Sequence, residues 1–107
     1  MGSFNGTWYG AYASNQIYLI IANSNDTTGD ISGTLLNYGN SWNITGHYYI
    51  STAGATVMLD AFPVNGGTKE QWQLSTSDYK VLSGQRTYLG PVGGFVTEQI
   101  GGLGKQT

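Results

Sequence analysis

Ser41-Trp42-Asn43-Ile44-Thr45-Gly46-His47-Tyr48-Tyr49-Ile50-Ser51 is the stretch on which the fold turns. Alternate positions Trp42, Ile44, Gly46, Tyr48 and Ile50 form one face, and Asn43, Thr45, His47 and Tyr49 form the other. A two-residue period marks a β-strand with one buried side. Outward from it the same grammar recurs. Gly6–Ala13, Gln16–Asn23, Asp30–Asn37, Thr56–Val64, Thr68–Thr76, Lys80–Leu89 and Gly94–Ile100 read as further strands, and no 3.6-residue apolar period runs for three turns. Between them lie Ser24-Asn-Asp-Thr-Thr-Gly29, Tyr38-Gly-Asn40 and Asn65-Gly-Gly67, where Asn and Gly tolerate the positive φ of tight hairpins.

Short connections make sequence neighbours antiparallel partners, hence an all-β up-and-down meander of about seven or eight strands. Such a meander leaves two raw edges unless it closes into a barrel, the expected architecture. Pro63, late in its strand, suits a rim. With 107 residues the chain holds one domain, read as residues 1–100, with Gly101-Gly-Leu-Gly-Lys-Gln-Thr107 as a flexible Gly-rich tail. The second strand is apolar on both faces, Ile17, Leu19 and Ile21 against Tyr18 and Ile20. A doubly apolar strand without a covering helix predicts a second subunit, in a tetramer first and a dimer second.

Composition narrows the chemistry. Only 9% of residues are charged, the formal net charge is −2, and Lys69, Lys80, Arg86 and Lys105 are scattered, so no basic stripe exists for nucleic acid. There is no Cys and one His, and no His-x-x-x-His or carboxylate cluster; neither metal, cofactor nor thiol catalysis is expected, and the chain reads as no enzyme. Asp60 and Glu70 stand five residues to either side of Asn65, flanking the Asn65-Gly-Gly67 hairpin, and could mimic a glycosidase pair. Solvated carboxylates or partners for Lys69 and Arg86 are the preferred reading. The longest apolar run, Ile17–Ala22, is too short to span a membrane as a helix, and no basic segment leads into an apolar one at the N-terminus. Cytoplasm is the favoured location, and a secreted chain already freed of its signal would read alike.

Four motifs, in order, carry a resemblance. Phe4-Asn-Gly-Thr-Trp-Tyr9 with Ser14 downstream, Ile31-Ser-Gly-Thr34, Ile44-Thr-Gly-His-Tyr48 and Gln71-Trp-Gln-Leu74-Ser-Thr76 resemble the first, third, fourth and penultimate strands of the avidin/streptavidin family. The resemblance implies an eight-stranded up-and-down barrel, usually tetrameric, with a ligand pocket at one end. It also implies pocket roles for Ser14 and Trp72. Where the family has an Asn, a Tyr and a Ser, this chain has Gly10, Leu35 and Asn37, and the family's late Trp and closing Asp find no match. A buried ligand carbonyl robbed of donors loses about 1–3 kcal/mol for each. Family-level biotin affinity is therefore not expected.

Binding remains. Three Trp and eight Tyr interleaved with Asn, Gln, Ser and Thr supply flat apolar faces beside neutral hydrogen-bonding groups, which suits an uncharged, polyhydroxylated ligand. The expected function is a lectin, a non-enzymatic carbohydrate-binding protein on an oligomeric barrel. The alternatives are a divergent binder of biotin or another small molecule, and an inhibitor or self-assembling interaction protein. Tyr12, Ser14, Asn37, Trp72 and Leu74 are the candidate ligand residues, with Asn43, His47 and Tyr49 as exterior candidates, whereas Trp8, Trp42 and Tyr48 are read as barrel filling.

Overall fold

The computed structural model describes residues 4–12, 15–37 and 39–106. They form eight strands: β1 (Gly6–Tyr12), β2 (Asn15–Ser24), β3 (Asp30–Asn37), β4 (Asn40–Ser51), β5 (Gly54–Pro63), β6 (Glu70–Thr76), β7 (Val81–Leu89) and β8 (Phe95–Lys105). Each pairs antiparallel with the next, and β8 returns to β1, closing the barrel. This is the expected all-β meander, compatible with an avidin-like barrel. Among the described residues no helix is long and apolar enough to cross a membrane.

Alternation predicts the core well. Trp8, Ile17, Leu19, Ile21, Ile44, Tyr48, Trp72 and Leu74 are all buried. Ile50, on the same strand face as Tyr48, lies beyond the packed layer and is 62% exposed. Tyr18 and Ile20 are half-buried on the outer face of β2, where the Tyr18 ring meets Tyr9 at 4.9 Å. The expected tail at 101–107 is corrected for residues 101–105: they continue β8, with Leu103 fully buried and Lys105 opposite Trp8. A run of Gly hides strand character because it offers no side chains to alternate.

The end of the barrel where β1 begins is plugged by aromatics. Phe4 sits 4.8 Å from the Tyr48 ring and 5.3 Å from Tyr79, while its carbonyl accepts from Trp8 Nε1 at 3.1 Å. Tyr79 adopts φ 60° in the β6–β7 turn, held there by its N–H donating to Thr76 Oγ1 at 2.9 Å. Tyr48 donates its hydroxyl to Asp26. Burial, then the Asp26 carboxylate, pushes the Tyr48 hydroxyl up to about 12.

Curvature is set where strands touch. On β4 and β7 the backbone of Gly46 and Gly84 lies so close to the neighbouring strand that a Cβ would fall 2.0 Å from the carbonyl oxygens of Met58 and Gln73. Gly84→Ala is therefore expected to cost about 3 kcal/mol, against under about 1 kcal/mol for Gly102→Ala, whose Cβ would meet only Val81 at 3.4 Å. Urea midpoints read both, and equal shifts would refute the role of the close approach. Tyr48 gives a pH signature. An unfolded tyrosine ionises near pH 10, so its contribution to stability is whole below that pH and is lost as pH climbs toward 12. Tyr48→Phe should flatten the alkaline decline, and an unchanged profile would exclude the Tyr48–Asp26 link as its source.

Candidate functional site

At the opposite end, where β1 finishes, residues of three adjacent strands build an ionic network that is buried at Glu70 and Arg86 and half-exposed at Glu98. Glu70, Arg86 and Glu98 lie on β6, β7 and β8, and Arg86 stands in register with both Trp72 and Glu98. Glu70 accepts from Arg86 through both carboxylate oxygens at 3.1 Å and from Trp72 Nε1 at 3.1 Å. Glu98 accepts from Arg86 Nε at 2.6 Å. Burial by itself would lower the Arg86 pKa, but the Glu98 hydrogen bond and the two carboxylate charges more than offset it and hold the guanidinium above its ordinary value. The Arg86 and Glu70 side chains are only 6% and 7% exposed, so each charge depends on the other for what water no longer supplies.

The same geometry disposes of the paired carboxylates. Asp60 stands opposite Gln71, and Glu70 opposite Ala61, so the two acids fall on different faces of the sheet. Asp60 meets Lys69 at 3.6 Å outside, and Glu70 meets Arg86 inside. Neither is poised for general acid and base work on one bond. No group of three or more potential metal ligands gathers among the described residues.

The inner candidates fare unequally. Trp72 and Leu74 are 1% and 0% exposed within the core, and the Trp72 N–H is engaged by Glu70. Asn37 is buried at the close of β3, on a strand that neighbours neither β6 nor β7. Tyr12 ends β1, and Ser14 lies outside the described residues. Gly10 and Leu35, which stand where the resembled family has polar groups, are buried.

Two exterior candidates do come together. A groove of about 300 Å³ runs over β4–β7, lined by His47, Tyr49, Met58, Asp60, Gln71, Gln73 and Gln85, with Leu59 and Trp72 behind. Tyr49 is 59% exposed and Met58 47%, giving the groove apolar surface. His47 Nε2 lies 2.7 Å from Asp30 Oδ1, so the imidazole is fixed at the groove's edge. Asn43 is exposed further along β4, opposite Phe62 and outside this groove. The three glutamines are what sequence reasoning missed. Their signal was the alternation of Gln71 and Gln73 with Trp72, which names the outer face of β6 as amide-bearing.

A second, smaller groove of about 290 Å³ lies at the rim between the β3–β4 and β5–β6 connections, with Trp42, Asn40, Asn65 and Thr68 in its wall. Trp42 Nε1 is buried there without a hydrogen-bond partner among the described residues.

Compared with protein-family models, curated proteins and solved structures, the chain matches none of them.

Replacing Glu70 by Gln leaves a buried guanidinium short of one charge, and the expected loss is about 3 kcal/mol of stability. Glu70→Gln combined with Arg86→Met should lose less than Glu70→Gln alone, because the stranded charge is gone. Chemical denaturation of the three proteins decides it; a single variant as stable as the parent would show that the network does not hold these strands.

Proposed function

We propose that this chain is a non-enzymatic carbohydrate-binding protein, a lectin whose ligand is a neutral glycan held on the outer face of β4–β7. One observation carries the reading. The amides of Gln71, Gln73 and Gln85 line the groove beside an exposed tyrosine, and none of them makes a hydrogen bond to a described residue. An amide offers two donors and an acceptor, and a sugar hydroxyl can meet either. The tyrosine ring offers the flat apolar face on which the C–H side of a pyranose packs. Charge plays little part, since Asp30 meets the His47 imidazole at one edge and Asp60 pairs with Lys69 at the other.

The avidin-like resemblance enters this reading as a scaffold and not as a biotin site. The half of the interior that such a site would use holds Glu70, Arg86 and Glu98, and Gly10 and Leu35 supply no polar side chain there. Assembly completes the reading. Tyr9, Tyr18 and Leu36 stand in register across β1–β3, with Ile20 beside them, and this apolar patch is the surface through which copies would join as a tetramer or dimer. Joined copies present several weak sites at once, which raises apparent affinity by about 10²–10⁴ without a new contact.

An array of neutral glycans probed with the intact protein is expected to give signal that changes little between low and high salt. Tyr49→Ala should weaken binding about tenfold, equivalent to about 1.4 kcal/mol, whereas Trp72 is not expected to touch the sugar. Ile20→Lys should abolish agglutination while leaving binding of a monovalent sugar intact. Silence across the array, or a steep loss of signal with salt, would overturn the lectin reading and leave an interface protein in its place.

A further inference from the structure

The barrel's register arranges the outer side chains in rows that cross the strands, and one row is unlike the rest. His47 of β4 stands opposite Met58 of β5, Met58 opposite Gln73 of β6, Gln73 opposite Gln85 of β7, and Gln85 opposite Gln99 of β8. Five consecutive strands thus contribute one outward side chain each to a single row that follows the curve of the barrel. From it, we infer that the ligand is a linear, extended, neutral polysaccharide lying across the strands, with about one sugar unit per strand, and not a terminal sugar inserted end-on. This inference rests on the glycan reading above and specifies its ligand.

Spacing is the first argument. Neighbouring strands lie about 4.8 Å apart, and on the convex outside of a closed barrel the side-chain tips splay wider than the backbone. A β-linked pyranose chain in its extended form advances by a closely similar distance per ring. A polymer laid across the strands therefore meets the side-chain amides of Gln73, Gln85 and Gln99 at about successive units.

Availability is the second. The next row along the strands is engaged at three of its five positions: Asp60 pairs with Lys69, and Thr87 and Thr97 share a hydrogen bond at 3.2 Å, which leaves Gln71 as its one amide. Along the inferred row, Gln73, Gln85 and Gln99 make no side-chain hydrogen bond to a described residue. Its one titratable side chain, His47, lies at the end of the row with Asp30 at 2.7 Å, and no Lys or Arg stands in the line to attract a polyanion.

Shape is the third. A terminal-sugar site needs donors that converge on one ring from several directions. This groove is an open surface trough whose polar groups repeat in one direction, with Met58 as apolar floor. Each glutamine must give up side-chain freedom to bind, so one contact is weak and several in series are needed.

The test is titration calorimetry of the full chain with linear β-1,4-linked oligosaccharides of glucose, xylose, mannose and N-acetylglucosamine, from monosaccharide to heptasaccharide. In at least one series, affinity is expected to rise about two- to tenfold per added unit, as one net hydrogen bond provides, and to level off near five units. Gln73→Ala and Gln85→Ala should each weaken the longer ligands several-fold and shorten the length at which affinity levels off; both residues are on the surface, so the variants should fold. Affinity already maximal at one or two units, or longer ligands indifferent to both substitutions, would overturn the inference while leaving a glycan-binding protein. Binding to none of these series, together with silence on the array, would overturn the inference and the glycan reading alike.

Discussion

Everything in this molecule depends on a short seam between its first and last strands. Among the described residues β8 meets β1 only at its very end, where Gly104 lies opposite Tyr9 and Lys105 opposite Trp8, and Gln106 donates its N–H to the Thr7 carbonyl at 2.8 Å. Without that seam both strands would be open edges, with rows of unpaired backbone groups ready to join another sheet. The seam is sealed from within as well. Leu103 is fully buried, and the Lys105 ammonium lies 5.5 Å from the centre of the Trp8 ring, close enough for a cation–π contact. Closing eight strands leaves an interior just wide enough for side chains to fill.

Most of this architecture was legible in the chain. Strand positions and faces followed from a period of two, because each inward residue meets the same core and each outward one meets water. The closing seam was not legible, since pairing the last strand with the first is the most non-local contact in the fold and its segment is nearly all glycine. Register was the other blind spot. Counting from Asn65 puts Asp60 and Glu70 in symmetric positions, yet β5 ends at Pro63 and β6 begins at Glu70, and the pairing sets Asp60 against Gln71. A slip of one residue moves a side chain to the opposite face.

The candidate surface was legible in part for the same reason. His47 and Tyr49 could be placed outside by alternation within their own strand, but which side chains on other strands join them depends on registers that no single strand encodes. Gln73 and Gln85 are 12 positions apart and become neighbours only through the β6–β7 ladder. Conversely, Trp72 carried the strongest motif signal and turns inward, its N–H held by Glu70. A tryptophan in a strand is a large apolar volume before it is a ligand wall, and a small closed barrel needs such volume.

The inside and the outside of β6–β8 then bear on one another. Within the barrel these strands are tied crosswise by Glu70, Arg86 and Glu98; outside, the same strands carry Gln73, Gln85 and Gln99 in line. Buried ion pairs contribute little net stability compared with apolar packing, but they penalise any register in which the charges lose their partners. A shift of β7 by one residue would turn Arg86 outward and at the same time break the amide row. The Glu70–Arg86–Glu98 network thus fixes the arrangement of neutral groups on the far side of the same backbone, and a row held in place in advance would lose less freedom on binding the proposed ligand. For weak contacts repeated strand by strand, that economy separates a usable binding surface from a merely soluble one.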